Sequence, residues 1–356
     1  MTYIKNEEYF KGRGAQINTD NKFLRTKYVA DHEEGIDELM LENTSTQFFE
    51  EHPKNIVSKS SSPDLPFMFS INPYQGCEHG CLYCYARNAH EYYGFSAGLD
   101  FERKIIVKRD AAQLLEKFFN KKGYVPSTIM LSGNTDCYQP IERKLKITRS
   151  LLEVFLKYKH PVSIISKNNL ILRDLDILKE LTALNLVHVA VTLNSLNEGL
   201  RQKLEPRTVT CRSRIDLISK LSSENIPVML MCAPIIPGLN SDEIPGIIKA
   251  AADAGASAAS FTMVRLNGAI ARIFSDWIHK AYPDRAEKVL NLIAQCHGGR
   301  LNDSRWGKRM RGDGKIAESI HRLFHISVKK FLKGKSMRAL NSGYFSPQNG
   351  KQLNLF

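Results

Sequence analysis

The chain has 356 residues, 43% of them hydrophobic, and a formal net charge of +13. No apolar run approaches the ~20 residues of a membrane span, and the polar start Met1-Thr2-Tyr3-Ile4-Lys5-Asn6-Glu7-Glu8 lacks a signal peptide's apolar stretch. A cytoplasmic protein with no membrane partner is therefore expected. Its seven cysteines, an odd number, argue against a disulfide framework.

In chain order, residues 1–66 form a mixed polar arm. Gly12-Arg13-Gly14-Ala15 and Ser58-Lys59-Ser60-Ser61-Ser62-Pro63 read as loop, and a short helix is expected over residues 35–41. From Phe67 short apolar runs alternate with helical stretches. Candidate strands cover 68–71, 128–131, 162–166, 187–193, 228–234 and 258–264. Helical stripes lie between them: Leu145, Leu151, Leu152, Phe155 and Leu156; then Leu175, Leu178, Leu181 and Leu184; then Ile244, Ile247, Ile248 and Ala251. Ser241 is the expected N-cap of the last, with Asp242 and Glu243 in its first turn. Regular strand–helix alternation implies parallel strands joined by right-handed crossovers. The predicted fold is an α/β partial (β/α)6 barrel of TIM type over residues 67–267, with an eight-unit barrel as the alternative.

The loop after the first strand is Asn72-Pro73-Tyr74-Gln75-Gly76-Cys77-Glu78-His79-Gly80-Cys81-Leu82-Tyr83-Cys84-Tyr85. Thiolates at this spacing select zinc, Cu(I) or an iron–sulfur cluster. Structural zinc closes a tetrahedron with four ligands, often in two cysteine pairs. Here Cys137, Cys211, Cys232 and Cys296 are scattered singly. Three cysteines suit a [4Fe–4S] cluster with one iron left open for a substrate or cofactor.

Cys77, Cys81 and Cys84, with Tyr83 before the last, resemble the radical S-adenosylmethionine (SAM) signature. The longer match, from Asn72-Pro73-Tyr74 through Tyr85-Ala86-Arg87, resembles the branch related to spore photoproduct lyase, and the likeness runs from Phe67 to Asn267. The resemblance implies the partial barrel, a [4Fe–4S] cluster whose open iron chelates SAM, and reductive cleavage of SAM to a 5′-deoxyadenosyl radical. It also implies an electron donor such as flavodoxin or ferredoxin.

In barrels of this kind the chemistry gathers at the C-terminal ends of the strands. The candidate SAM contacts are therefore Gly133 and Asn134 after the second strand, Lys167 after the third, and Asn194 and Ser195 after the fourth. Arg207 is a second candidate for the SAM carboxylate, or else a structural ion pair. By resemblance, Pro237, in the loop after the fifth strand, and the Tyr83 backbone lie on the adenine side. Cys137 is a candidate hydrogen-atom donor by analogy with the lyase, with Tyr138 as a relay; a free cysteine is also a small buried apolar residue.

Residues 268–340 read as a helical, basic extension in which Trp277, Ile278, Val289, Leu290, Leu292 and Ile293 cover the barrel. Cations cluster over residues 300–338, interleaved with Trp306, Phe324 and Phe331. A basic balance favours nucleic acid as partner. Residues 341–356 read as a flexible tether ending in Gln352-Leu353-Asn354-Leu355-Phe356, which resembles the peptide that binds bacterial DNA sliding clamps. The expected function is a radical SAM enzyme, lyase or transferase in type, abstracting hydrogen from DNA. Alternatives are radical modification of RNA or protein, and a non-catalytic iron–sulfur protein that binds nucleic acid.

Overall fold

A computed structural model describes residues 12–24, 45–65 and 67–347. The helix expected over 35–41 and the tail motif Gln352 to Phe356 lie outside the described residues.

The strands are β1 (Gln47–Glu50), β2 (Val57–Lys59), β3 (Phe69–Ile71), β4 (Tyr74–Gln75), β5 (Lys104–Val107), β6 (Ile129–Leu131), β7 (Val162–Ser166), β8 (Val187–Thr192), β9 (Val228–Ile235) and β10 (Ala258–Met263). A seven-stranded sheet runs in the order β10-β9-β8-β7-β6-β3-β2. Its six strands from β3 through β10 are mutually parallel, and β2 is an antiparallel edge. Both faces of a parallel sheet are covered, so its strands read as apolar runs; Val187, Val189 and Val191 are all buried.

The helices between the strands are amphipathic. They are α1 (Arg87–His90), α2 (Asp100–Arg103), α3 (Ala111–Phe119), α4 (Glu142–Leu145), α5 (Ile147–Lys157), α6 (Leu175–Ala183), α7 (Glu198–Leu204), α8 (Cys211–Ser223) and α9 (Ile244–Asp253). The leucine and isoleucine stripes face inward: Leu151, Leu178 and Ile247 are fully buried in one core with Ile164, Val189 and Leu230 of the sheet. Ser241 does not cap α9 as expected. It opens a 3-10 turn ahead of the helix, and its hydroxyl accepts from Gly238 N at 3.3 Å.

After the barrel come α10 (Ala269–Ala281), α11 (Ala286–Gln295) and α12 (Gly314–Phe331). The first two bury Trp277, Val289 and Ile293 against Leu82, Leu200 and Ile236, so they cover the side from which the cysteine loop rises. Helix α12 places Phe324 in the main core.

A second sheet, β1-β5-β4, frames the cysteine loop. Strand β4 pairs antiparallel with β5, and β1 lies parallel on its other edge. The arm over residues 13–19 is seated on this unit by glycine contacts. A Cβ on Gly14 would lie 1.7 Å from the Gly80 carbonyl oxygen, and one on Gly98 2.0 Å from that of Ile17. Gly14→Ala is therefore expected to lift the arm while the barrel stays folded. Limited proteolysis should cut the variant near residues 13–19 at protease levels that leave the wild type intact; equal resistance would show that the arm's seat lies elsewhere.

Candidate active site

Strand β4 delivers Cys77 to a loop bent by Gly76 (φ +79°) and Gly80 (φ +70°). A side chain at either would be strained, and there is no room for one: a Cβ would come within 2.9 Å of Lys104 O or 2.8 Å of Glu102 Oε2. Cys77 N donates to Phe101 O at 2.9 Å and Arg87 N to Cys84 O at 3.2 Å, so both ends of the loop are fixed. Cys77 and Cys81 are buried and Cys84 is half-buried. Among the described residues no three His, Cys, Asp or Glu side chains converge on a single-ion position. Cys77, Cys81 and Cys84 are near neighbours that act electrostatically on one another, as ligands of one cluster must be, and all four remaining cysteines lie in the main core.

The loop is held from behind by Arg87 and Glu102, both fully buried and 2.5 Å apart. Arg87 also donates to the carbonyls of Cys81 (2.9 Å), Ala97 (3.2 Å) and Gly98 (2.9 Å). Glu102 accepts from Gly14 N at 3.0 Å and Ala15 N at 2.8 Å. One ion pair thus joins the loop, helix α2 and the arm.

On the barrel side, Tyr83 OH donates to Glu205, whose other oxygen takes Arg214 Nη2 at 2.5 Å. Burial alone would raise the Glu205 pKa, but Arg214 and Lys167 hold it below the usual carboxylate range. Burial would lower the Lys167 pKa, yet Cys81, Glu205 and Asp136 around it raise it. Lys167 is thus a cation at the end of β7, beside the cysteine loop. Asp136 accepts from Lys167 N at 2.9 Å and lies 3.4 Å from His79, a residue of the loop.

The other expected site residues divide. Asn134 stands beside β4: its N donates to Asn72 Oδ1 at 2.7 Å and its amide to Gln75 Oε1 at 3.2 Å. Gly133 gives its carbonyl to Tyr85 OH. Arg207 sits at the loop, donating its N to His79 O and lying 3.8 Å from Glu78, which is the ion-pair alternative. The Ser195 hydroxyl donates to Glu243 at 2.6 Å and accepts from Asn197 N at 2.9 Å. Pro237 lines a cleft of about 450 Å³ with Lys288 and Leu292 of α11 and Lys315 of α12.

Cys137 is fully buried in the main core, and its N donates to Ser132 Oγ at 2.9 Å. Tyr138 is also fully buried, and its hydroxyl donates to Asp174 at 3.0 Å, below α6.

Sequence reasoning passed over Gln75 and Thr192. Gln75 Nε2, Thr192 Oγ1 and Asn194 Nδ2 are buried and have no hydrogen-bond partner among the described residues. Buried polar atoms are seldom left so. These three sit on β4 and at the end of β8, and a polar cofactor at the strand ends would satisfy them. The only sequence signal was their place at strand termini.

The family model described as Radical SAM superfamily matches residues 71–251. An uncharacterized protein of Mycobacterium tuberculosis is 30% identical over 230 residues, covering 64% of this chain and 68% of its own. One of Methanocaldococcus jannaschii is 27% identical over 253 residues, 71% of this chain and 90% of its own. A protein of Pseudomonas phage M6 named Radical SAM Nalpha-GlyT isomerase is 24% identical, covering 64% of this chain and 46% of its own. Among solved structures, spore photoproduct lyase complexed with dinucleoside spore photoproduct superposes with a TM-score of 0.60 at 16% identity, covering 82% of both chains. That likeness is one of fold.

Removing one member of a buried pair leaves the other charge stranded. Glu102→Leu is expected to lower unfolding free energy by about 3–5 kcal/mol, read from urea denaturation, and to free the arm to proteolysis. A loss below about 1 kcal/mol, the range of an exposed pair, would show that Arg87 finds other compensation.

Proposed function

The chain belongs to the radical SAM superfamily, and from that premise we propose that it is an enzyme that abstracts a hydrogen atom from a nucleic acid, DNA in the first instance. The observation that carries the reading is the grouping of Cys77, Cys81 and Cys84 in one loop, with every other cysteine committed to the core. That leaves a [4Fe–4S] cluster one iron without a cysteine ligand. Bound there, the cluster supplies the electron that cleaves SAM reductively; a one-electron donor of the flavodoxin or ferredoxin kind is the partner this requires.

The protein's own contribution is positioning and shielding. Lys167, cationic and half-buried near Cys81, suits the SAM carboxylate as a point charge. Asn134 offers its carbonyl oxygen to the SAM amino group, Gln75 its unpaired Nε2 as a donor, and Thr192 and Asn194 their unpaired polar atoms to ribose hydroxyls. Leu82, packed beneath α10 and α11, and the arm over Gly80 keep water from the loop. The nucleic-acid substrate is supported by the net charge of +13 and by the basic segment after β10. The names of the phage isomerase and the solved lyase are compatible with it.

Protein purified without oxygen is expected to carry close to a cubane's complement of iron and sulfide. Cys77→Ala, Cys81→Ala and Cys84→Ala should each lose it, while Cys211→Ala and Cys296→Ala retain it. Reduced protein given SAM should release 5′-deoxyadenosine. Stoichiometric zinc without iron would sink the reading. Lys167→Ala, with its cluster intact by absorbance, should bind SAM weaker by roughly one to two decades, since a charged hydrogen bond is worth about 1.5–3 kcal/mol; unchanged affinity by equilibrium dialysis would move the carboxylate elsewhere.

A further inference from the structure

The parallel sheet does not close on itself: β10 and β2 are its two free ends. Two segments meet across that seam. One is the chain after β10, which runs back along it, with Leu266 N donating to Leu301 O and Met263 N to Met310 O, both at 2.9 Å. The other is the loop between β2 and β3. Asp64 of this loop accepts from Gly307 N at 2.7 Å and Arg309 Nε at 2.5 Å, and Ser62 Oγ accepts from Arg309 Nη2 at 2.6 Å.

The side chains left over at the seam are a cation and an indole. Arg265 lies just past the end of β10, half-buried, and has no hydrogen bond or ion pair among the described residues. Tyr85, Arg309 and Asp64 are its charged or titratable neighbours. Trp306 has one side covered by the Arg309 guanidinium, 3.9 Å from the ring centroid, and remains 57% exposed. Of the cations flanking Trp306, Arg305 pairs with Asp303 and Lys308 with Asp313. Phe324 is buried and cannot stack on a ligand. Tyr85, which follows Cys84 in the cysteine loop, is a neighbour of Arg265 and so brings the loop up to the seam.

A half-buried guanidinium with no ion-pair or hydrogen-bond partner among the described residues matches a phosphate, and an exposed indole backed by a cation matches a base face. We propose that this seam is the substrate rim for a single-stranded nucleic acid segment, with Arg265 taking a backbone phosphate and Trp306, held by Arg309, stacking on a base. The proposal rests on the radical SAM reading above and adds to it which residues meet the substrate. A single strand should bind tighter than a duplex, because a base stacked on the indole must leave its helix and a single strand pays no unpairing cost.

The test is fluorescence anisotropy of full-length, cluster-containing protein with a labelled single-stranded DNA, its duplex, and RNA of the same sequence, over a range of salt. The single strands should bind tighter than the duplex. Trp306→Ala should lose roughly five- to a hundredfold in affinity, and Trp306→Phe should restore most of it. Arg265→Ala should weaken binding and reduce the salt slope by about one. Lys179→Ala, an exposed lysine on the outer face of α6, should change little. 5′-Deoxyadenosine release without substrate should persist in both seam variants. Absence of wild-type binding at low salt, unchanged binding in both variants, or equal competition by poly-aspartate would overturn the proposal. If SAM cleavage persists in any of those outcomes, the enzyme reading stands and only the rim is wrong; loss of cleavage in the wild type defeats the enzyme reading itself.

Discussion

The structure around the cysteine loop depends on one buried ion pair, Arg87 with Glu102. Two charges without solvent exposure are a net gain only when further hydrogen bonds satisfy both partners. Here Arg87 is satisfied by three carbonyls besides the carboxylate, and Glu102 by two backbone amides of the arm. The loop could not be held by side-chain packing alone, since three of its residues are the thiols and two are glycines in left-handed backbone. A planar guanidinium reaching several carbonyls at once fixes a loop in a way that lysine could not. Glycine at positions 14 and 80 then becomes obligatory, because the arm that satisfies Glu102 must pass within van der Waals contact of the loop backbone.

The same logic recurs beneath the loop. Glu205 lies between Tyr83 and Arg214, with Lys167 beside it, so the carboxylate that orients Tyr83 also helps to keep Lys167 charged. Two carboxylates, Glu102 behind the loop and Glu205 below it, therefore hold the segment from opposite sides. One connects it to the arm and the other to the barrel strands.

Much of this fold was legible in the sequence. The six candidate strands coincide with β3 and β6 to β10 to within one residue at each end, because buried parallel strands advertise themselves as short β-branched runs. The three-cysteine loop was legible from spacing. The supporting ion pairs were not, since Arg87 and Glu102 are 15 positions apart and become partners only when β4 and β5 pair. Strand ends were a coarser guide: the end of β7 brings Lys167 beside the cysteine loop, whereas after β6 the Ser132 turn, with φ of +77°, leads into Cys137 and Tyr138, both buried. The Ser195 hydroxyl is engaged by a neighbouring turn and by Glu243, contacts that residue type alone does not announce.

Net charge is the sequence signal that needed the structure most. A run of cations over residues 300–338 looks like a continuous basic surface, yet Arg305, Lys308 and Arg309 each have a carboxylate partner close in space. Two of those carboxylates, Asp303 and Asp313, are near in sequence, but Asp64 comes from the far end of the sheet. Exposed pairs of this kind contribute little stability, and the Asp64–Arg309 pair is distinguished by being largely buried and by spanning the seam. Its consequence is geometric. It fixes Arg309, Arg309 covers one side of Trp306, and the indole is held exposed at the edge where the barrel stays open. A positive surface defined by total charge would be diffuse, whereas this edge presents one unpaired cation and one held aromatic ring beside the cysteine loop. Specific recognition of a ligand requires such a fixed arrangement, and the excess of lysine and arginine elsewhere serves at most to draw a polyanion toward it.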